Sequence, residues 1–135
     1  MSSWRMSRTF PGSPIAIAEA RRFITTLLGS RPGIEDAELI VSELATNAVR
    51  HSASGRFGGC FTVAVQADRD RIWLGVLDQG GPRAPHPLPP QEDEEGGRGL
   101  ALVAAMAVSW GVTGDEQGRI VWAALDLAPQ QTATR

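Results

Sequence analysis

Residues 33–51 read GIEDAELIVSELATNAVRH, and apolar residues recur in this stretch at steps of three and four. The repeating positions are Ile34, Ala37, Val41, Leu44 and Ala48. This spacing predicts a helix that opens near Gly33, buries one apolar stripe and ends between His51 and Gly55. Glu43, Asn47 and Arg50 lie off the stripe. The helix therefore offers polar side chains next to a buried face.

A second helix is predicted before this one. Ser13 and Pro14 suit the N-cap and the first helical position, and Gly29 suits the end. Between them, apolar residues again recur at helical spacing, at Ile17, Ala20, Ile24 and Leu27 or Leu28.

The residues that follow the helices predict strands. Phe61, Val63, Val65 and Ala67 alternate with more polar positions, as in a half-buried strand. A polar turn at residues 68–70 leads into a second strand, which runs from Arg71 to Leu77 and stops at Asp78. Residues 108–113 and 119–127 predict two more strands, joined by a turn at 114–118.

Residues 79–97 contain five Pro, four Gly and an acidic run at 92–95, so we expect a long loop there. The apolar stretch from Gly99 to Ala107 predicts a buried helix. Residues 1–12 are expected to be a tail or an edge strand, residues 13–127 the domain, and residues 128–135 a C-terminal tail.

Because the helices are grouped and do not alternate with strands, the order of elements favours the α+β class. We expect a two-layer α/β sandwich, in which three helices cover one face of the sheet. The sheet would be mixed, mostly antiparallel and made of four to five strands.

Composition excludes several classes of protein. The chain has 135 residues, 42% of them hydrophobic, and a net charge of −2, so direct nucleic-acid binding is not expected. With one cysteine, Cys60, a disulfide framework is excluded. No apolar run approaches the roughly 20 residues of a membrane span, and we expect a cytoplasmic protein with no membrane partner. All thirteen basic residues are Arg, which excludes a Walker A lysine.

Three short motifs could carry chemistry. Glu43 and Asn47 are one helical turn apart, so their carboxylate and amide oxygens could hold Mg²⁺, and the carboxylate could also accept a proton. The alternative is that both residues lie on an ordinary solvated helix face. Asp78 could accept a hydrogen bond from an exocyclic amine with Gly80 leaving room for a flat ring, or it could simply open a turn. Gly97, Arg98 and Gly99 could form an anion site where a helix begins, or a flexible loop entering a helix.

The order of these motifs resembles that of the Bergerat-type ATP-binding domains of gyrase, mismatch-repair ATPases, histidine kinases and anti-sigma-factor serine kinases. The chain is most similar to the stand-alone anti-sigma-factor serine/threonine kinases of actinobacteria. Residues 42–52 resemble the first box of that family, residues 77–80 the first glycine box and residues 97–103 the second.

The resemblance implies a role for each motif. Glu43 is expected to be the general base and Asn47 the Mg²⁺ ligand, with Arg50 also at the nucleotide. Asp78 is expected to bind the adenine amine, with Gly80 beside the ring. The second glycine box, including Gly97, Arg98, Gly99 and Leu100, is expected to bind the phosphates, with residues 82–96 as the ATP lid. Pro82 and Glu95 depart from the family pattern.

The resemblance implies an ATP- and Mg²⁺-dependent kinase that binds a sigma factor and phosphorylates an anti-anti-sigma factor, acting as a homodimer. Two alternatives stay open. One is a non-catalytic regulatory module that binds ATP, which the departures at Pro82 and Glu95 would suit. The other is a detached histidine-kinase-like ATPase domain, which would need an acceptor histidine on another chain.

Overall fold

The computed structural model describes residues 3–51, 58–80, 96–115 and 117–126, with the backbone alone for residues 51 and 96–98. Within these residues lie three helices and five strands. In chain order they are β1 (Trp4–Pro11), α1 (Pro14–Leu28), α2 (Ile34–His51), β2 (Cys60–Ala67), β3 (Arg71–Asp78), α3 (Gly96–Met106), β4 (Ser109–Asp115) and β5 (Gly118–Asp126). Of the loop predicted over residues 79–97, residues 81–95 lie outside the described residues, whereas residues 96 and 97 belong to α3, which begins before the predicted start at Gly99. The predicted tail over 128–135 also lies outside the described residues.

The strands form one sheet in the order β1-β2-β3-β5-β4. Each of the four pairings in this sheet is antiparallel. β3 is the central strand, and residues 4–11 form an edge strand that pairs with β2. The predicted α+β class and two-layer α/β sandwich are confirmed.

Helix α1 begins and ends where Pro14 and Gly29 predict. Gly29 has a φ of 66°, which an L side chain rarely adopts, and its N–H donates to the Thr25 carbonyl. Ser13 has the extended backbone of an N-cap, but its side chain makes no capping hydrogen bond. The residues that α1 buries are Ala16, Ala20, Ile24 and Leu28.

Helix α2 lies at the centre of the helical layer. It contacts α1, α3 and the strands β2, β3 and β5. With neighbours on several sides, it buries a wider arc than one stripe, made of Ala37, Ile40, Val41, Leu44, Ala45, Asn47 and Ala48. The expectation that Asn47 lies off the buried surface is therefore wrong.

Helix α3 is only partly covered. Leu100 and Val103 are buried, whereas Leu102 is 38% exposed and Ala104 and Ala105 are exposed. The prediction of a buried helix is therefore wrong: within the residues that the structure describes, α3 packs mainly against α2 and the edge strand β4.

The predicted hairpin of β2 and β3 is present. Phe61, Val63, Val65 and Ala67 are all buried, and they point into the core with alternate residues of β3. The turn is fixed by Asp68, whose Oδ1 accepts hydrogen bonds from the N–H groups of Asp70 and Arg71 at 2.8 and 2.9 Å.

The opposite face of the sheet carries two tryptophans over glycines. A Cβ built on Gly75 would lie 2.6 Å from Trp73 Cη2, and one built on Gly111 would lie 2.9 Å from Trp122 Cζ2. Each ring therefore fills the space that a neighbouring side chain would otherwise take. In the part of the chain described here, no helix has the length and apolar character needed to span a membrane.

Candidate functional site

Glu43 and Gly99 are predicted site residues that lie far apart in the sequence and are in direct contact in the structure. A Cβ built on Gly99 would clash with Glu43 Oε1 and would lie 3.4 Å from its carboxyl carbon. The carboxylate of α2 therefore lies against the first turn of α3, at a position where only glycine leaves it in place. The first box and the second glycine box meet here.

Asn47 follows Glu43 by one turn of α2. It is 7% exposed, while Glu43 is half-buried. Burial of a polar amide on the same helix as a half-buried carboxylate excludes the solvated-face interpretation for Asn47. Arg50, one turn further along, is exposed. The two inner residues of this motif thus lie at the edge of the core, and Arg50 lies at the surface.

Asp78 ends the central strand and is also buried, at 7% exposure. It alternates with Ile72, Leu74 and Val76 and so faces the helical layer. Its Oδ1 accepts a hydrogen bond from the Gly80 N–H at 2.6 Å. Gly80 is buried and has a φ of 81°, so glycine is required for this turn.

Arg119 is a site residue that sequence reasoning missed. It is directly opposite Asp78 in the β3–β5 ladder and is 4% exposed. Its position could have been a signal, since it shares the alternation of the buried Val121, Ala123 and Leu125. Its charge is one of the influences on the Asp78 carboxylate across the ladder.

The surroundings of Asp78 act on its pKa in opposite directions. Burial raises the pKa above its usual value of 3.8. The Gly80 N–H, the charge of Arg119 and the Arg119 backbone N–H each favour the carboxylate and oppose this rise. The net direction is upward, so burial outweighs the three stabilising contacts.

Asp78 lies in the sheet, on the face that the helical layer covers, and Glu43, Asn47 and Gly99 lie in that helical layer. Asp78 faces the helices, and α2 packs across β3 and against α3. Residues 52–59 connect the end of α2 to the start of β2. The start of β2 lies beside the end of β3, where the Cys60 N–H donates a hydrogen bond to Gln79 Oε1 at 2.9 Å. Glu43, Asn47 and Gly99 therefore lie in the helical layer toward which Asp78 points.

The second glycine box begins α3. Gly97, Arg98 and Gly99 lie in its first turn, where backbone N–H groups have no partner within the helix. Leu100 is 2% exposed and anchors this turn in the core. The Arg98 side chain and the His51 side chain lie outside the described part of the structure, as do Pro82 and Glu95.

The donors present suit a magnesium ion held together with phosphates. In the described residues, no three His, Cys, Asp or Glu side chains are grouped to hold a metal ion. Asn47 and Glu43 offer oxygen ligands, and Mg²⁺ in nucleotide sites usually takes one or two protein oxygens together with phosphates and water. The residues fit such an ion and do not fit a closed protein cage.

Comparison with known protein families agrees with this arrangement. The family model described as "Histidine kinase-like ATPase domain" matches residues 10–125. No curated protein matches the chain. The matched range includes β2 to β4, all but the last residue of β5, all three helices and every predicted site residue. The chain belongs to the histidine kinase-like ATPase domain family, whose domains bind ATP.

Proposed function

We propose that this protein is an ATP-dependent protein serine/threonine kinase that acts as an anti-sigma factor. It would bind a sigma factor and phosphorylate an anti-anti-sigma factor, working as a homodimer. The observation that carries the kinase proposal is the contact between the Glu43 carboxylate and Gly99 at the start of α3. This contact puts a proton acceptor beside backbone amides that suit a phosphate.

Each site residue has a task in this proposal. Asp78 accepts a hydrogen bond from the adenine amine, and Gly80 leaves room for the ring. Gly97, Arg98 and Gly99 bind the phosphates, with Leu100 holding their turn in the core. Asn47 supplies an oxygen to Mg²⁺, which neutralises phosphate charge when bound, and Arg50 lies at the nucleotide's outer side.

The reaction moves one phosphoryl group to a hydroxyl of the partner protein. Glu43 accepts the proton of a serine or threonine hydroxyl, and the hydroxyl oxygen forms a bond to the γ-phosphorus of ATP. The bond from that phosphorus to the bridging oxygen breaks, and ADP leaves with its electron pair. The products are ADP and the phosphorylated partner. The chain's main contribution is to position these groups and stabilise their charge.

The test is transfer of labelled phosphate from ATP to purified candidate anti-anti-sigma proteins. We expect Glu43→Gln to lower the rate by about a hundredfold or more, because a positioned base typically contributes that much. Glu38→Gln is the matched control: Glu38 lies on the same helix, is 40% exposed and pairs with Arg21 at 3.9 Å. Its rate should equal that of the wild type. An unchanged rate in Glu43→Gln would contradict the role of Glu43.

The alternatives predict different outcomes of the same experiment. Wild type that binds ATP but labels no partner supports the non-catalytic regulatory module. Label on a histidine of another chain supports the detached histidine-kinase-like domain. Complex formation with purified sigma factors and the mass of the free protein in solution test the partner and the homodimer.

A further inference from the structure

One face of the sheet has no helix over it within the described part of the chain. The helical layer packs on the face that carries Phe61, Val63 and Val65, and the alternate residues of each strand form the opposite face, which we call the outer face. Residues that are directly opposite one another in the ladders form a row across all five strands at the centre of this face. In sheet order, the central row is Ser7, Ala64, Gly75, Trp122 and Gly111.

Charge on the outer face is confined to the ends of the strands. The charged residues at outward-facing positions are Arg5, Arg71, Asp115 and Asp126, and each is within one residue of a strand end. The rows on either side of the central row carry the apolar residues Trp73, Leu77, Ile120 and Ala124. An apolar centre inside a charged rim is the pattern of a protein–protein interface, whose core is depleted of charged residues.

The two halves of the outer face differ in shape. The half on β1 and β2 contains a shallow cavity of about 680 Å³, whose lining on this face is Arg5, Ser7, Ala64, Gln66, Arg71 and Trp73. The half on β5 and β4 is filled by the ring of Trp122, which covers Gly111 so closely that a Cβ there would lie 2.9 Å from Trp122 Cζ2. One half is therefore hollow, and the other carries a large aromatic side chain.

A second copy of the chain matches these two halves. In a two-fold dimer, both copies use the same surface. If the axis runs along the central strand β3, β5 of each copy lies over β2 of the other. Ala64 and Trp122 are in the same row on either side of Gly75, so each Trp122 then meets the hollow at Ala64 of the other copy. The strands of the two sheets stay nearly aligned, as in many pairs of packed sheets.

The size of the face also suits a dimer. Five strands, about 4.8 Å apart and about seven residues long at ~3.3 Å per residue, cover roughly 550 Å² before the relief of the side chains is added. Stable interfaces bury about 600–1,000 Å² on each partner, so contact over the whole face reaches this range. The chain's own C-terminal segment suits the face less well, because residues 127–135 read LAPQQTATR and Leu127 is their one large apolar residue.

We propose that this chain forms a two-fold homodimer through the outer face, with Trp122 of each copy in the hollow over Ala64 of the other. The inference rests on the homodimer of the proposed function, to which it gives a surface. It requires neither nucleotide binding nor phosphoryl transfer.

Sedimentation equilibrium over a series of protein concentrations tests the proposal. The wild type should have the mass of two chains. Ala64→Phe fills the hollow and should raise the dimer dissociation constant by roughly a hundredfold or more, because each change enters a two-fold interface twice. Thr26→Phe adds the same side chain at an exposed position of α1 and is the matched control. Its dissociation constant should equal that of the wild type.

A mixture of two variants tests the predicted contact itself. Trp122→Ala should also weaken the dimer, since it removes the ring that enters the hollow. In an equal mixture of Ala64→Phe and Trp122→Ala, the new phenylalanine of one copy enters the space left by the tryptophan of the other, and the second contact keeps its wild-type residues. The mixture should therefore associate at least tenfold more tightly than either variant alone. A mixture that associates no more tightly would overturn the proposal.

A variant at an exposed position covers the case in which Ala64→Phe does not fold. Leu77 is 43% exposed and lies on β3, so Leu77→Arg brings two like charges together near the axis and should give a monomer. A folded Leu77→Arg that keeps the mass of two chains would show that the dimer uses another surface, and the inference would be wrong.

The failure of this inference can be distinguished from the failure of the proposed nucleotide site. A wild type with the mass of one chain overturns the inference, and a thermal shift of that monomer with ATP would leave the nucleotide site supported. If deletion of residues 127–135 turns a monomeric wild type into a dimer, the C-terminal segment covers the outer face and the inference is overturned as well.

Discussion

The carboxylate of Glu43 occupies the space that a side chain at position 99 would need. Gly99 has no positive φ, so its backbone would accept another residue, and the restriction comes from Glu43 alone. Because the atom in the way is the far end of a flexible side chain, a larger residue at position 99 should move the carboxylate before it disturbs the fold.

Gly99→Ala should therefore separate activity from stability. Alanine is the better helix former by up to about 1 kcal/mol, so the free energy of unfolding should stay the same or rise. Phosphoryl transfer should fall by about a hundredfold, the scale expected for a group displaced by about 1 Å. Urea unfolding and labelled-ATP transfer measure the two effects. In a Glu43→Ala background, Gly99→Ala should have no further effect on transfer; an additional loss there would show that Gly99 acts by another route.

Asp78→Ala should weaken ATP binding, because it removes the carboxylate that we propose binds the adenine amine. A ligand at a hundredfold excess over its dissociation constant stabilises the native state by about 2.7 kcal/mol. A tenfold loss of affinity removes about 1.4 kcal/mol of binding free energy, so the thermal shift at the same ATP concentration should fall by about half or more. Asp126→Ala, an exposed acid at the end of β5, is the control. If ATP raises the melting temperature of Asp78→Ala as much as that of the wild type, Asp78 does not contribute to ATP binding.

Asp68 should make the hairpin turn sensitive to acid. The N–H groups of Asp70 and Arg71 donate to its carboxylate and lower its pKa below the usual 3.8. Because the folded pKa is the lower one, the stability that the ionised group contributes is present above pH 3.8. That contribution is lost as the pH falls below 3.8 through the lowered folded value.

Urea unfolding of the wild type and Asp68→Asn at a series of pH values measures this effect. Their free energies of unfolding should differ at neutral pH and converge as the pH falls below 3.8. Asp70→Asn, at the exposed neighbouring position, controls for the change in net charge. If the free energies of unfolding of wild type and Asp68→Asn differ by the same amount at every pH, the ionised Asp68 carboxylate does not stabilise the turn.

Gly75→Ala should destabilise the sheet. The new methyl group would lie 2.6 Å from Trp73 Cη2 and 3.2 Å from Ile120 Cγ2, and overpacking of this kind costs about 1–3 kcal/mol. The free energy of unfolding in urea measures the loss. Trp73→Leu removes the ring, so Gly75→Ala should cost clearly less in that background. Equal costs in both backgrounds would mean that the ring is not what excludes a side chain at position 75.

The sequence predicts much of this fold because local signals agree with the packing. Pro14 and Gly29 bound α1, and the alternation from Phe61 to Ala67 identifies β2 and its buried side. Two features depend on neighbours that no local pattern reveals: Asn47 is buried because α2 is covered on several sides, and α3 is exposed because few of the described elements cover it. The burial of Arg119 follows from its inward-facing position in β5, which the alternation of that strand does indicate.

For the candidate site as well, the sequence predicts which residues take part but not which of them are in contact. Their order along the chain identifies Glu43, Asp78 and Gly99 as candidates, since those residue types suit the chemistry. The contact between Glu43 and Gly99 and the pairing of Asp78 with Arg119 are tertiary facts, set by helix packing and strand register. The predicted roles of Arg98 and the lid fall outside the described residues and stay predictions.

The candidate site has two parts that should differ in local stability. One part lies on the central strand β3, between β2 and β5, and the other lies on α3. Asp78 is attached to a strand with hydrogen-bonded neighbours on both sides, so its amide hydrogens should exchange with solvent only when the whole domain opens. Gly99 lies on α3, where the buried side chains are Leu100 and Val103, and this helix should open at a lower free energy. Hydrogen exchange should therefore be faster in the first turn of α3 than at the end of β3, on the two sides of the proposed nucleotide site.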